Sequence, residues 1–525
     1  MNFQAPEGTY DILPSVVGDA KDPDSNRRQV LLWRRVEEAA RSCFARYGYE
    51  EIRPSLLEKE SVFYKATGEV TDIVEKEMFT FPAWVEFADQ ISRILYTREF
   101  VLRLDSVEPG RELTTEEEQT KKRQHAILFA FRELRKQKRA GPVKGAPFLQ
   151  SLKESPIESV SEFWRSVPAD KAEAVTRAFT EETFDGLTLR PELTPGAIRA
   201  LIEGGLFAKK NFWKVWYFGP AFRKERPQKG RYRSFTQIGV EAVGSADPLV
   251  DAETIILLSE ILNAVGVKTW DLRINSIGCT DCRPAYREVL KAAVLPILPS
   301  LDENCKRRFE RNVFRILDCK VDAEKTKDLP RSIDHLCQKC KDHMAVVEGA
   351  LRACEVPYRV DPRIVRGLDY YTRTVYEFSS SKLGAQDALA GGGRYDTLVG
   401  SMGGPDVGSV GFAAGVERIL LAMEGEAVPP VPDFFAVAVA DVSRSDVFRT
   451  VVQLRRQGLS GDLDFEARSV KAQMRSANKS GARYAVFIGP EEVQKGVLKI
   501  KDMKDGSEKT AVIEEAVKML QRGTP

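Results

Sequence analysis

Six basic residues, Arg223, Lys224, Arg226, Lys229, Arg231 and Arg233, crowd the stretch FRKERPQKGRYRSFTQIGVE between Phe222 and Glu241. The run before it, WKVWYFGPAF, alternates with period two, so Val215, Tyr217, Gly219, Ala221, Arg223 and Glu225 share one face of a strand. Pro227 and Gly230 break the pattern, and SFTQIGVEAVG returns with Phe235, Gln237, Gly239 and Glu241 on one side. The spacing predicts an antiparallel hairpin whose small residues leave room above a sheet and whose turn clamps a polyanion. A solvated basic turn on an ordinary hairpin has the same spacing.

Three other segments carry candidate chemistry. RGLDYYTRTVYEF opens with Arg366 and enters a strand in which strict alternation sends Arg366 and Tyr371 to opposite faces. A bulge or turn at Gly367 lets both reach one pocket. GGGRYD, Gly391 to Asp396, allows close backbone approach to a small ligand beside Tyr395, or is simply a flexible hairpin. In VGFAAGVERILLAM a small-residue strand end leads to a helix with Arg418 in its first turn. A cation there opposes the helix dipole unless an anion lies beside it. The alternative is a solvated Arg418 paired with Glu417.

Two CxxC pairs, Cys279/Cys282 and Cys337/Cys340, have the composition of a closed tetrathiolate zinc site, with His343 or Cys319 as substitutes. Reduced thiols without metal fit the same pattern. Eight cysteines spread over so long a chain argue against a disulfide framework. Nothing places a serine or cysteine nucleophile near any of the three histidines, His125, His335 and His343.

The chain has 525 residues, enough for three or four domains. Its 79 basic residues nearly balance 77 acidic ones, for a net charge of +2, so any nucleic-acid surface is local. The start MNFQAPEGTYDILP lacks a cationic, then apolar, leader, and no run is apolar enough to span a bilayer. A soluble cytoplasmic protein with no membrane partner is the expectation.

The elements that position these residues begin with a helix over Gln29 to Tyr47, ended by Gly48, and the strand-like YEEIRPSLLE, where Pro54 suits an edge or interface. EMFTF and, about a hundred residues later, LTLRPE are expected to pair as neighbouring strands. Between them lies a helical insertion with a capping box at Thr115 and Glu118 and a basic amphipathic run from Lys121 to Arg139. It reads as a solvated or partner-docking elaboration, or as a grip on RNA. After the PPVP linker at Pro429 to Pro432, strands and helices alternate as in a small α/β domain with a mainly parallel sheet.

Taken together, the basic hairpin, GFAAGVER and the early helix and strand ending at Pro54 resemble motifs two, three and one of class II aminoacyl-tRNA synthetases. LRPELTPG, RGLDYYTRTVYEF and GGGRYDTLVG are similar to the signatures of histidyl-tRNA synthetases within that class, as are PEGTYDILP and KAQMRSANKSGARYAVFIGPEEVQKG. The resemblance implies an α+β fold: an antiparallel-sheet catalytic core with helical insertions, plus a C-terminal α/β anticodon-binding domain. The core would span 1–81 with a dimer interface, 187–278 and 353–427; the insertions 82–186 and 279–352; and the anticodon-binding domain 428–525.

It also implies a histidine–tRNA ligase that uses ATP and magnesium, pairs with tRNA(His) and forms a homodimer. By position, Arg223, Arg366 and Arg418 would be the catalytic residues. Glu192, Thr194, Arg223, Gln237, Glu241, Arg366, Tyr370, Tyr371 and Tyr395 would hold histidine. Arg223, Glu225, Arg231, Phe235 and Arg418 would hold ATP, and Arg226 and Gln228 the tRNA acceptor end. Lys471, Arg475, Lys479 and Arg483 would add phosphate contacts from the last domain, although a solvated helix face looks similar. Leu193 departs from the family, which often has glycine there. A non-charging paralogue, the regulatory subunit of ATP phosphoribosyltransferase, shares the core. The three arginines and the C-terminal domain count against it, and the residues matching adenine and phosphate binding count against a generic RNA-binding protein.

Overall fold

The computed structural model describes residues 6–12, 29–67, 71, 74, 77–81, 187–319, 321–365, 368, 370–384, 387–424 and 431–521. The insertion expected over 82–186 and the candidate Arg366 therefore lie outside the described residues. The chain divides into two units, Met1–Glu426 and Ala427–Pro525.

The first unit is built on an eight-stranded sheet. Its long central hairpin pairs Trp213–Phe222 with Ser234–Val243, in a register that sets Ala221 opposite Phe235, Gly219 opposite Gln237 and Tyr217 opposite Gly239. The sheet continues antiparallel through Ser409–Gly415, Ala388–Arg394, Thr372–Ser379 and Asp271–Ser276. One short parallel strand closes each edge, Glu50–Glu51 and Arg359–Val360. The glycines do not leave the floor bare. A Cβ on Gly239 would collide with the Tyr217 hydroxyl, and one on Gly392 with the Tyr376 ring. Each glycine lets a tyrosine from the neighbouring strand lie across it.

Helix Val30–Arg46 buries the stripe Leu32, Trp33, Val36, Ala40, Cys43 and Phe44. Gly48, at φ 72°, ends this segment as its position predicts. Helix Pro248–Val265 is apolar nearly all round and is capped by Asp247, whose carboxylate accepts the Leu249 amide at 2.9 Å. One charge sits on its buried surface. Asp251 is fully buried and pairs with Arg394, which is also fully buried. Arg394 donates in addition to the carbonyls of Ser245 at 2.9 Å and Asp247 at 3.0 Å, and to Asp396 at 3.1 Å. His343, on helix Gln338–Ala353, reaches Asp251 at 3.2 Å.

A separate three-stranded sheet has Leu187–Leu189 between Leu57–Lys59 and Phe79–Phe81. Phe81 is paired with Leu187, so residues 81 and 187 lie side by side at one end of this sheet. Helices Arg283–Val294 and Glu303–Arg311 enclose a local core of Tyr286, Leu290, Val294, Cys305, Val313 and Ile316.

The second unit has a five-stranded sheet with helices, but it is not mainly parallel as its sequence predicts. Phe434–Ala438 is parallel to Gly461–Leu463 and to Tyr484–Ile488, whereas Val497–Asp502 and Glu508–Val512 add antiparallel pairings. The chain after Val497 turns back at Gly506, φ 75°, as a hairpin instead of crossing over through a helix. Among the described residues no helix is long and apolar enough to cross a membrane.

Removing Asp251 strands a buried guanidinium. Asp251→Ala is expected to destabilise the first unit by about 3–5 kcal/mol, read as a lowered unfolding temperature in near-UV circular dichroism.

Candidate functional site

One end of the central hairpin is a buried cluster of carboxylates and tyrosines. Glu241 accepts from Tyr217 at 3.0 Å and from Tyr395. Tyr217 also meets the Thr194 hydroxyl at 3.3 Å. Tyr370 donates to Glu192 at 3.3 Å, and its ring lies 4.6 Å from that of Tyr371 and 5.5 Å from that of Tyr395. Gln237 accepts the Leu193 amide at 3.2 Å. Glu192, Thr194, Gln237, Glu241, Tyr370, Tyr371 and Tyr395, singled out from four separate stretches of sequence, are all buried here. Leu193 turns its side chain away into a cluster with Ala197, Tyr217 and Ala221. The larger residue thus fills the space beneath the pocket.

Strand Thr372–Ser379 begins after Tyr371, so strict alternation does not apply to the two preceding tyrosines. The bulge or turn expected at Gly367 lies outside the described residues, and Arg373, second in the strand, is a non-glycine residue at φ 50°.

The other end carries positive charge. Arg223 donates to the Pro191 carbonyl at 3.0 Å, lies 3.7 Å from Glu225 and faces the Phe235 ring at 5.3 Å. Arg231 pairs with Glu225 at 3.2 Å. Arg418 donates to the carbonyls of Gly230 at 2.8 Å and Ala388 at 2.7 Å, which ties the basic turn to the glycine strand. Burial, with the charges of Arg231 and Arg223 nearby, holds the Arg418 guanidinium below its usual pKa even though Glu225 opposes this. An anion would relieve that crowding. Pairing of Arg418 with Glu417 is not what is found: Glu417 accepts the Thr236 amide at 2.8 Å and the Tyr10 hydroxyl. Arg226 and Gln228 are exposed on the turn, where Gln228 and Arg231 exchange backbone hydrogen bonds.

Three contributors escape a sequence reading. Tyr217 sits on the expected face, but its reach across Gly239 to Glu241 depends on the register. Arg190 donates to the carbonyls of Pro220 at 2.8 Å and Pro54 at 2.6 Å, pinning the hairpin to the early chain. Residues 6–12 lie against the basic turn, with the Arg233 amide donating to Gly8 at 2.8 Å.

The four CxxC sulfurs converge. Cys279 lies 3.8 Å from Cys282 and 3.8 Å from Cys337, and Cys282 lies 3.9 Å from Cys340. Tetrahedral Zn–S bonds of about 2.3 Å require S···S edges of about 3.8 Å, so the donor set fits zinc. Burial pushes the Cys279 thiol up, but the backbone amides of Cys282 and Asp281 outweigh it and bring the thiol down to about 7. His343 and Cys319 are committed elsewhere, to Asp251 and Asp302. Asp302, Cys305, Cys319 and Asp322 form a second convergence. There Asp302 caps helix Glu303–Arg311, while Asp322 accepts the Asp302 amide at 2.8 Å and Lys325 at 3.0 Å. Those bonds already use the carboxylates, so this cluster reads as a structural knot.

Burial pushes the Glu241 carboxyl up to about 8, against hydrogen bonds from Tyr395, Thr194 and Tyr217. The unfolded chain gives up that proton near pH 4.3, a value typical of glutamate, so the folded state binds more protons between the two values. The contribution of this group to stability is complete below about pH 4.3 and is lost as pH rises to about 8. In thermal melts of ligand-free protein from about pH 5 to about pH 8, Glu241→Gln is expected to show a shallower fall than wild type.

The comparisons with known proteins agree with this geometry. Residues 152–419 match the family model described as histidyl-tRNA synthetase, and residues 437–523 match that of an anticodon binding domain. The histidine–tRNA ligase of Trichlorobacter lovleyi is 36% identical, over 98% of this chain and 97% of that protein. The one from Syntrophotalea carbinolica is 35% identical, with coverage of 98% and 97%. The crystal structure of apo histidyl-tRNA synthetase from S. aureus aligns with a TM-score of 0.65 and 25% identity, covering 99% of this chain and all of that one. With a catalytic core and an anticodon-binding unit of this kind, the chain belongs to the histidyl-tRNA synthetases, within the class II aminoacyl-tRNA synthetases.

Proposed function

We propose that this chain joins histidine to tRNA(His) in two steps at the site described above. The observation that carries the reading is the juxtaposition on one hairpin of an enclosed Glu/Tyr pocket and a cluster of arginines. First, a carboxylate oxygen of histidine forms a bond to the α-phosphorus of ATP, the bond to the bridging oxygen breaks, and pyrophosphate leaves. The 3′-terminal ribose hydroxyl of the tRNA then attacks the activated carbonyl, and AMP leaves. Neither step needs a protein nucleophile, and both need reactants aligned and charge compensated.

Each residue is assigned by that need. Glu192, Thr194 and Gln237 hold the amino group of histidine, and Glu241, Tyr370, Tyr371 and Tyr395 read the imidazole, whose nitrogens offer both a donor and an acceptor. Arg223 and Arg366 hold the α-phosphate and the carboxylate. Arg418 takes the γ-phosphate, and magnesium arrives with the outer phosphates as part of the substrate. Phe235 stacks on adenine, and Glu225 accepts from its amino group. The ion pairs of Glu225 with Arg223 and Arg231 support this reading. In ligand-free protein the carboxylate occupies cations that ATP claims, and it is released towards the base when they turn to phosphate.

Arg226 and Gln228 contact the acceptor end, and the helix carrying Lys471, Arg475 and Lys479, with Arg483 beyond it, contacts tRNA phosphates. A second copy of the chain is the expected partner of the three-stranded sheet, which exposes Leu57 and Leu187 beside the exposed Leu56. Eight free thiols suit a reducing cytoplasm. Cys279, Cys282, Cys337 and Cys340 hold a structural zinc ion.

Histidine-dependent ATP–pyrophosphate exchange tests the activity. Exchange with histidine alone among the amino acids is expected, and Arg418→Ala should lower kcat/KM by roughly 10²–10³-fold. Folded protein that exchanges with no amino acid would point instead to the regulatory paralogue. Elemental analysis should find about one zinc ion per chain, lost in a Cys279→Ser, Cys337→Ser double variant.

A further inference from the structure

The tetrathiolate and the amino-acid pocket are joined by one turn. Gly278 and Arg283 flank Cys279 and Cys282 directly. The Gly278 carbonyl accepts the Arg373 amide at 2.8 Å, and the Ile277 amide donates to the Arg373 carbonyl at 2.8 Å. The Arg283 guanidinium donates to the Tyr371 carbonyl at 3.0 Å. These bonds grip the backbone at and just beyond the pocket tyrosines Tyr370 and Tyr371, where Arg373 holds its left-handed φ of 50°. A residue with a Cβ stays in that conformation only where its surroundings impose it.

The second CxxC pair reaches the same place. One helical turn after Cys340, the His343 ring lies 3.5 Å from the Arg373 guanidinium, which also pairs with Asp396 at 3.3 Å. Asp396 exchanges hydrogen bonds with Thr372 and follows Tyr395 in sequence. The two cysteine pairs lie 58 residues apart, and thiol contacts of 3.8–3.9 Å are weak links between them. Gly278 has no side chain at φ 78°, and a Cβ there would stand 2.8 Å from the Cys282 sulfur, so the turn fits tightly over the cluster. The groups assigned to ATP are anchored elsewhere, Arg223 on Pro191 and Arg418 on Gly230 and Ala388.

We infer that the tetrathiolate anchors the histidine pocket: with metal bound, the 277–283 turn holds Tyr371 and Arg373 through Gly278 and Arg283, so metal occupancy sets affinity for the amino acid and not for ATP. Arg283 is then a positioning residue, acting through the Tyr371 backbone. The inference rests on the ligase reading and on zinc as the occupant.

The test uses full-length protein and measures zinc content, circular dichroism, and equilibrium binding of histidine and of ATP by calorimetry. Arg283→Met keeps an unbranched side chain over Phe314 and removes the donor. It should retain its zinc and its ATP affinity while binding histidine roughly tenfold more weakly. Chelator-stripped wild type with an unchanged circular dichroism spectrum should show the same selective loss and recover on addition of zinc. Equal losses for histidine and ATP, or stripped protein that binds histidine as tightly as loaded protein, would overturn the anchor. Wild type that performs histidine-dependent exchange yet contains no metal would also overturn it, while leaving the ligase reading intact. No exchange from loaded, folded wild type would remove both.

Discussion

A fully buried guanidinium is tolerated only where its charge is cancelled and its donors are met. Arg394 satisfies that condition through Asp251, Asp396 and the carbonyls of Ser245 and Asp247. Much of the first unit is arranged by it. The pair pins the most apolar helix to the end of the glycine strand, and the next residue in the chain is Tyr395, whose hydroxyl meets Glu241. His343 joins the pair from a second helix, bringing the cysteine subdomain to the same point. The cluster around Glu241 is thus hung from a buried charge that is not itself part of it.

The two ends of the site differ in charge. At one end, burial makes a carboxyl costly to ionise, and hydroxyl donors surround it. At the other, burial and the neighbouring guanidiniums hold Arg418 below its usual pKa. Between them, Gly219 lies opposite Gln237, and the Arg190 guanidinium and the Leu193 side chain fill the space over it. A cationic ring suits the first end and a phosphate chain the second. Reversing either would leave an uncompensated charge in a poorly solvated cleft.

How much of this was legible in the sequence depended on distance along the chain. Period-two alternation in WKVWYFGPAF and SFTQIGVEAVG gave the hairpin, its shared face and the polar residues on it, because strand faces are local. The spacing of the CxxC pairs raised the metal question for the same reason. What stayed hidden was set by register and long-range packing. Tyr217 reaches Glu241 only because Gly239 lies opposite it, and the bonds of Arg190 and Arg394 run to distant segments. The antiparallel end of the second unit was missed because its strands VLKIKD and EKTAV, mixed with lysine and glutamate, resemble surface more than sheet. The roles assigned to individual arginines came from family resemblance, since nothing in the spacing says which phosphate each would hold.

The contact between Tyr10 and Glu417 spans 407 residues. Its consequence concerns the order of events during synthesis. Tyr10 leaves the ribosome long before its partner, yet its seat is shaped by the basic turn and by the helix that starts at Val416, near the end of the first unit. A chain grown at about 5–20 residues per second waits tens of seconds for that helix. During this interval the arginine cluster lacks Arg418 as well as the covering N-terminal segment. One short helix carries both Glu417 and Arg418, so the seat of residues 6–12 and the arginine cluster are completed by the same stretch of chain.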